Sequence, residues 1–198
     1  MSANRVVYIV LTSTGTYLSK LIQFYTKASL NHASIAFDPE LKEVYSFGRK
    51  NAANPFLAGL VREDYSSPFF HSSHCAIYTL TVTSEQYNQM HHLVRDMMKR
   101  QHTYKYHLLG LIGVMLNVEL RRENAYFCSQ FVSTVLGHGG ALPVRKPAHL
   151  VTPGDFEKTE ILKEVYRGSL WDYTCESSER SVRTMTTSMD RVKAHIIS

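Results

Sequence analysis

Two periods of apolar and polar positions run along this chain, and the switches between them mark its elements. Residues 6–11 are an apolar run closed by Thr12-Ser13-Thr14, long enough for a buried strand but short of a signal-peptide core or a membrane span. Across 15–27, Leu18, Leu21, Ile22 and Tyr25 recur at helical spacing while Lys20 and Gln23 fall off the stripe, which predicts an amphipathic helix. Two β-rich runs, 32–37 and 42–47, flank Asp38-Pro39-Glu40-Leu41, and because Pro39 presets the first central φ of a turn they read as a hairpin. Residues 48–74 carry Asn51, Asn54, Pro55, Gly59 and Ser66-Ser67-Pro68 with little periodicity, so they read as a long loop with a short helix at 55–59. A strand is predicted over 76–83, then a helix capped by Ser84 with Tyr87, Met90, Val94 and Met97 on one face. The apolar run 108–116 suits a buried helix and is too short to cross a bilayer. A last helix over 125–136 carries Phe131, Val132, Val135 and Leu136 on one stripe, is stopped by Gly137 and Gly139-Gly140, and holds Cys128 in its first turn.

Composition narrows the class. The 198 residues are 44% hydrophobic and 20% charged, enough for one core, and Ser and Thr rise only after Cys175, so a single domain is expected over 1–173 with a Ser/Thr-rich tail over 174–198. Three cysteines without a C-x-x-C pair argue against a disulfide framework and predict a reducing, cytoplasmic setting. The net charge of +5 comes from 22 basic and 17 acidic residues scattered without a dense run, so nucleic acid is not an expected partner. Neither glycine-rich nucleotide motif occurs, and no cofactor is expected. His71, His74 and Cys75 offer three soft ligands where a closed zinc site needs four, so no metal is assigned. His91 and His92 point about 100° apart on their helix, which suits a solvated face.

The chemistry concentrates in two residues. A thiol is a nucleophile only as thiolate, and a helix amino terminus lowers its pKa through partial positive charge and free N–H groups, which can also hold an oxyanion. Cys128 has that position, although free cysteines are more often simply buried. Of the ten histidines, His32 stands apart because it opens a strand and is followed by the small Ala33 and Ser34. A turn centred on Pro39-Glu40 sets His32 across from Phe47 and diagonal to Tyr45, so Tyr45 could orient the imidazole, and a slip of one residue would bring Ser46 there instead. The 48–74 loop leaves from that strand, so Phe69 and Phe70, with Phe56 and Leu57, are expected either to wall a substrate cleft or to pin the loop to the domain.

The residues His32-Ala-Ser-Ile-Ala-Phe-Asp, Val44-Tyr-Ser-Phe-Gly-Arg-Lys, Tyr126-Phe-Cys-Ser-Gln-Phe-Val and Thr152-Pro-Gly-Asp-Phe resemble the circularly permuted papain-like cysteine hydrolases related to the NlpC-type amidases. In that family the histidine strand precedes the nucleophile helix. The resemblance covers about residues 5 to 170 and implies an α+β fold with an antiparallel sheet against the nucleophile helix. It implies Cys128 as nucleophile, His32 as base, and a polar residue on the next strand as orienter. Relatives often have His, Asn, Gln or Glu there, whereas this chain offers Tyr45 or Ser46. The implied function is thiol-dependent hydrolysis of an amide or ester in a small peptide, peptidoglycan fragment or acyl substrate, without an integral membrane segment. The alternative is a binding module that keeps the cleft without turnover.

Overall fold

The computed structural model describes residues 3–13, 29–49, 58–106 and 125–177; the helices expected over 15–27 and 108–116, and Phe56 and Leu57, lie outside them. The first strand is β1 (Asn4–Thr12), and the hairpin is β2 (His32–Ala36) with β3 (Val44–Arg49). Then come β4 (Ala58–Glu63), β5 (His74–Thr83), helix α1 (Ser84–Lys99), and the short β6 (Lys105–Tyr106) and β7 (Ala125–Tyr126). Helix α2 (Cys128–His138), the short α3 (Pro153–Glu157) and β8 (Lys163–Ser169) complete the order. The fold is α+β. Six strands form one antiparallel sheet in the order β4-β3-β2-β1-β5-β8, and β6 pairs with β7 in parallel.

Strand alternation splits this sheet into two faces. One presents Val7, Ile9, Leu11, Ala33, Ile35, Tyr45, Phe47, Leu60 and Tyr78 to the apolar stripes of α1 (Tyr87, Met90, Val94, Met97) and α2 (Phe131, Val132, Val135, Leu136), all buried. The other gathers Val10, Ala36, Val44, Cys75 and Ile77 under Tyr65, Phe70, Leu170 and Tyr173. Helix α2 lies across β2 and β3, so its amino terminus reaches the hairpin. Its far end is closed by Gly140 at φ +65, which lets Ala141 N–H reach the Leu136 carbonyl at 2.9 Å; only glycine adopts that backbone without strain.

Several boundaries differ from the sequence pattern. Ala58 and Gly59 belong to β4, not to a helix, so the 48–74 segment contains a full edge strand. Helix α1 is capped by Thr83, which forms a capping box with Gln86, while the Ser84 hydroxyl bonds the Ala3 carbonyl at 2.7 Å. Helix α2 begins at Cys128, because Ala125 and Tyr126 are extended and the Tyr126 ring packs 5.1 Å from Phe47. A helical run over 170–177 continues through Tyr173, whose hydroxyl bonds the Pro39 carbonyl at 2.9 Å. The domain therefore extends past 173, and residues 178–198 lie outside those described. Among the described residues no helix is long and apolar enough to cross a membrane.

Candidate active site

Cys128 is the first residue of α2, after the buried Phe127, which is extended and offers no side-chain cap. The N–H groups of a helix's first turn have no intrahelical acceptors and carry partial positive charge. Here the backbone N–H of Ser129 meets the sulfur, and Ala33 N–H meets it from β2. The Ser129 hydroxyl bonds the Val151 carbonyl at 2.6 Å, tying this turn to the segment before α3. That segment is itself fixed by Asp155, which accepts from Thr152 N–H at 2.7 Å and from Lys146 Nζ at 3.0 Å.

The His32 ring is in hydrogen-bond contact with the Cys128 thiol. Its Nε2 lies 2.7 Å from Glu63 Oε1, which leaves Nδ1 to face the sulfur. Burial opposes charge on the imidazole, but the Glu63 carboxylate and the hydrogen bonds to Cys128 and Glu63 outweigh it and raise its pKa. Burial likewise opposes the thiolate and the carboxylate. His32 together with the two backbone N–H groups nevertheless lowers Cys128, and His32, Ser46 and Ser34 lower Glu63. The three shifts reinforce one another, and the arrangement favours a thiolate beside an imidazolium held by a carboxylate.

Of the predicted site residues, the structure brings Cys128 and His32 together and sends Tyr45 elsewhere. The observed register pairs Ile35 with Tyr45 and Ala36 with Val44, one residue away from the pairing of His32 with Phe47. Tyr45 therefore lies on the helix-covered face, where its hydroxyl bonds Glu43 Oε1 at 2.9 Å. The cause is Leu41, which is buried and left-handed at φ 54. The Asp38 carboxylate accepts from Lys42 N–H at 2.9 Å and Glu43 N–H at 2.6 Å, so the turn holds one residue more than a tight hairpin. The slip puts Ser46 on the His32 face, but Ser46 donates to Glu63 and the imidazole partner is Glu63. Glu63 sits opposite Val44 on β4 and leans back along the sheet past Ser46.

Phe70 is buried in the second core, 4.8 Å edge-on to Tyr65, with Phe69 against it at 4.9 Å. For Phe70 this burial is the pinning arrangement, one of the two expected, while Phe69 is only partly buried. Gly48 has a specific function here. A Cβ at this position would lie 3.0 Å from Ser46 Oγ, 3.4 Å from Glu63 Oε1 and 3.5 Å from His32 Cε1, so its absence makes room for the His32–Glu63 contact. Among the described residues no group of three or more His, Cys, Asp or Glu side chains is arranged to hold a metal ion. No protein-family model matches the chain, and no curated protein matches it.

Proposed function

We infer that this protein is a thiol-dependent hydrolase of amide or ester bonds, with the strand order of a circularly permuted papain-like enzyme. The observation that carries this reading is the buried Cys128–His32–Glu63 line at the amino terminus of α2. The Cys128 thiolate attacks the acyl carbon, and the oxyanion is stabilised by N–H groups of the first turn of α2. His32 then gives its proton to the departing amine or alkoxide, leaving a thioester. Neutral His32 next takes a proton from water, whose hydroxide displaces the sulfur and releases the acid, restoring the thiolate–imidazolium pair. Glu63 keeps the ring oriented and its charge stabilised throughout. Small peptides, peptidoglycan fragments and acyl esters are the substrate classes this chemistry suits.

The test is to incubate the protein with nitrophenyl acyl esters and short peptide anilides, follow release of the chromophore, and search Cys128 for an acyl mass. Turnover with a transient adduct on Cys128, both lost in Cys128→Ser, is expected. Iodoacetamide should also modify Cys128 before Cys75, whose thiol burial pushes up to about 12, and before the exposed Cys175. No adduct from any of these substrates, together with a Cys128 that alkylates no faster than Cys175, would overturn the reading.

A further inference from the structure

Glu63 is served through one oxygen only. Oε1 meets His32 Nε2 at 2.7 Å and accepts from the hydroxyls of Ser46 and, at 3.4 Å, Ser34. Oε2 is buried and has no hydrogen-bond partner among the described residues. An ionised carboxylate has acceptor positions on both oxygens, and leaving one bare in the interior forfeits the stabilisation that keeps it charged. Tyr65, two residues further along the chain, has the complementary deficit. It is 2% exposed, its hydroxyl stands beside Ser34 and Glu63, and that hydroxyl also has no partner at hydrogen-bonding geometry among the described residues. One atom is an acceptor without a donor, and the other is a donor without an acceptor.

We propose that Tyr65 is a positioning residue of this site: its hydroxyl donates to Glu63 Oε2, fixing the plane of the carboxylate and holding it ionised against His32. The proposal rests on the thiol–imidazole reading above and adds a fourth member behind the line. Phe70, packed edge-on to the Tyr65 ring at 4.8 Å, sets the direction of that ring, so a residue expected at a cleft wall becomes the support of the hydroxyl. Tyr65 keeps its proton at any working pH, because burial first and the nearby Glu63 charge second raise its pKa far above that of a free phenol. The other ionisable groups facing the pair are His32 from β2, Cys128 from α2 through His32, and Cys75 from β5, which stays a neutral thiol.

The experiment is the pH dependence of Cys128 alkylation by iodoacetamide, read from the mass of the Cys128 peptide, and needs no knowledge of the substrate. It compares the parent protein, Tyr65→Phe, Glu63→Gln and the double variant. Tyr65→Phe keeps the ring and should fold with a nearly unchanged melting temperature. Its alkylation midpoint should move up by on the order of one pH unit, the weight of one hydrogen bond to a charged group. On the Glu63→Gln background the same change should add nothing, since it acts through the carboxylate. A Tyr65→Phe profile that superimposes on the parent's, whether or not the variant melts early, overturns the proposal, as does a shift that persists undiminished beside Glu63→Gln. If the parent's own midpoint is that of an ordinary thiol, the thiol–imidazole reading falls and this proposal with it.

Discussion

Two histidine–glutamate pairs flank the same hairpin, one on each face, and their chemistry is alike while their surroundings are not. His32 and Glu63 meet at 2.7 Å with side chains only 13% and 5% exposed, against the Cys128 thiol. His91 of α1 and Glu43 meet at 2.9 Å with side chains 24% and 33% exposed, beside the Tyr45 hydroxyl. The second pair is tidy: the His91 ring stacks 5.9 Å from Tyr87 and stands edge-on to Phe37 at 4.9 Å. It faces water and no nucleophile, so its charges are screened and have nothing to activate. What separates the two pairs is burial and a third partner, and one residue of register in β3 decides which side chains join which pair.

The largest test of that contrast exchanges each glutamate for glutamine. Glu63→Gln removes the charge that holds His32 as imidazolium, so Cys128 alkylation and any turnover at neutral pH should fall by about 100-fold or more. Thermal melts should show about 3 to 5 kcal/mol lost, the usual result of leaving one member of a buried pair alone. If Glu63→Gln leaves Cys128 as reactive as in the parent, the distinction between the pairs collapses.

Stability against pH draws the same line more finely. Glu63 has a folded pKa below the ordinary glutamate value of 4.5, so its contribution is present above that value and disappears as pH falls through the folded one. His32 has a folded pKa above 6.5, so its contribution is complete below 6.5 and disappears as pH rises through the folded value. Cys128, lowered below the ordinary thiol value of 9.0, gains stability with rising pH and offsets the His32 loss up to that value. Denaturant midpoints across about pH 3 to 11 should therefore fall off in the parent on the acid side and, above about pH 9, on the alkaline side. Both slopes should flatten in Glu63→Gln. Glu43 is also lowered, against burial, by His91 and Tyr45, but at its exposure solvent screens the effect, and Glu43→Gln should blunt only the acid slope, slightly.

The asymmetry explains what could be read along the chain. Cys128 and His32 were legible because each has a local signature: a cysteine opening an amphipathic helix, and a histidine opening a strand with small neighbours. The hairpin was legible from Pro39 and its flanks, but its register was not. The left-handed Leu41 is held by burial in the second core and by the Asp38 carboxylate, and neither constraint is visible in a turn read from sequence alone. Glu63 was hidden for a related reason. Its strand offers few strong β formers between Gly59 and Glu63, amid turn-forming residues, and it is extended because it completes the sheet edge beside β3. The alternation of Leu60 and Arg62 against Val61 and Glu63 was the signal available. Phe69 and Phe70 read equally as anchors or walls along the chain, and the packing of Phe70 on Tyr65 is a contact that no local pattern shows.

Gly48→Ala probes the same line with a smaller expected effect. The added methyl would sit 3.0 Å from Ser46 Oγ and 3.4 Å from Glu63 Oε1, so one of these must give by a few tenths of an ångström. Displacement of the carboxylate from His32 should lower Cys128 alkylation by roughly 10-fold while the fold survives, since small errors of placement cost rate before they cost stability. A measured rate equal to the parent's would mean that Ser46 alone yields and the His32–Glu63 contact has slack.

The smallest expected effect belongs to Glu43→Gln, and its smallness is the point. The amide oxygen can still accept from Tyr45, and Arg62 continues to hold the strand through its 2.8 Å bond to the Lys42 carbonyl. Only the charge facing His91 goes, so the melting temperature should drop by no more than a few degrees, in line with less than about 1 kcal/mol for a part-buried pair that solvent still screens. Cys128 alkylation should be unchanged at every pH, because Glu43 lies on the opposite face of the hairpin from His32. A change in the alkylation midpoint would show that β3 carries charge information from one face of the sheet to the other, and the two pairs would then have to be treated as one coupled system.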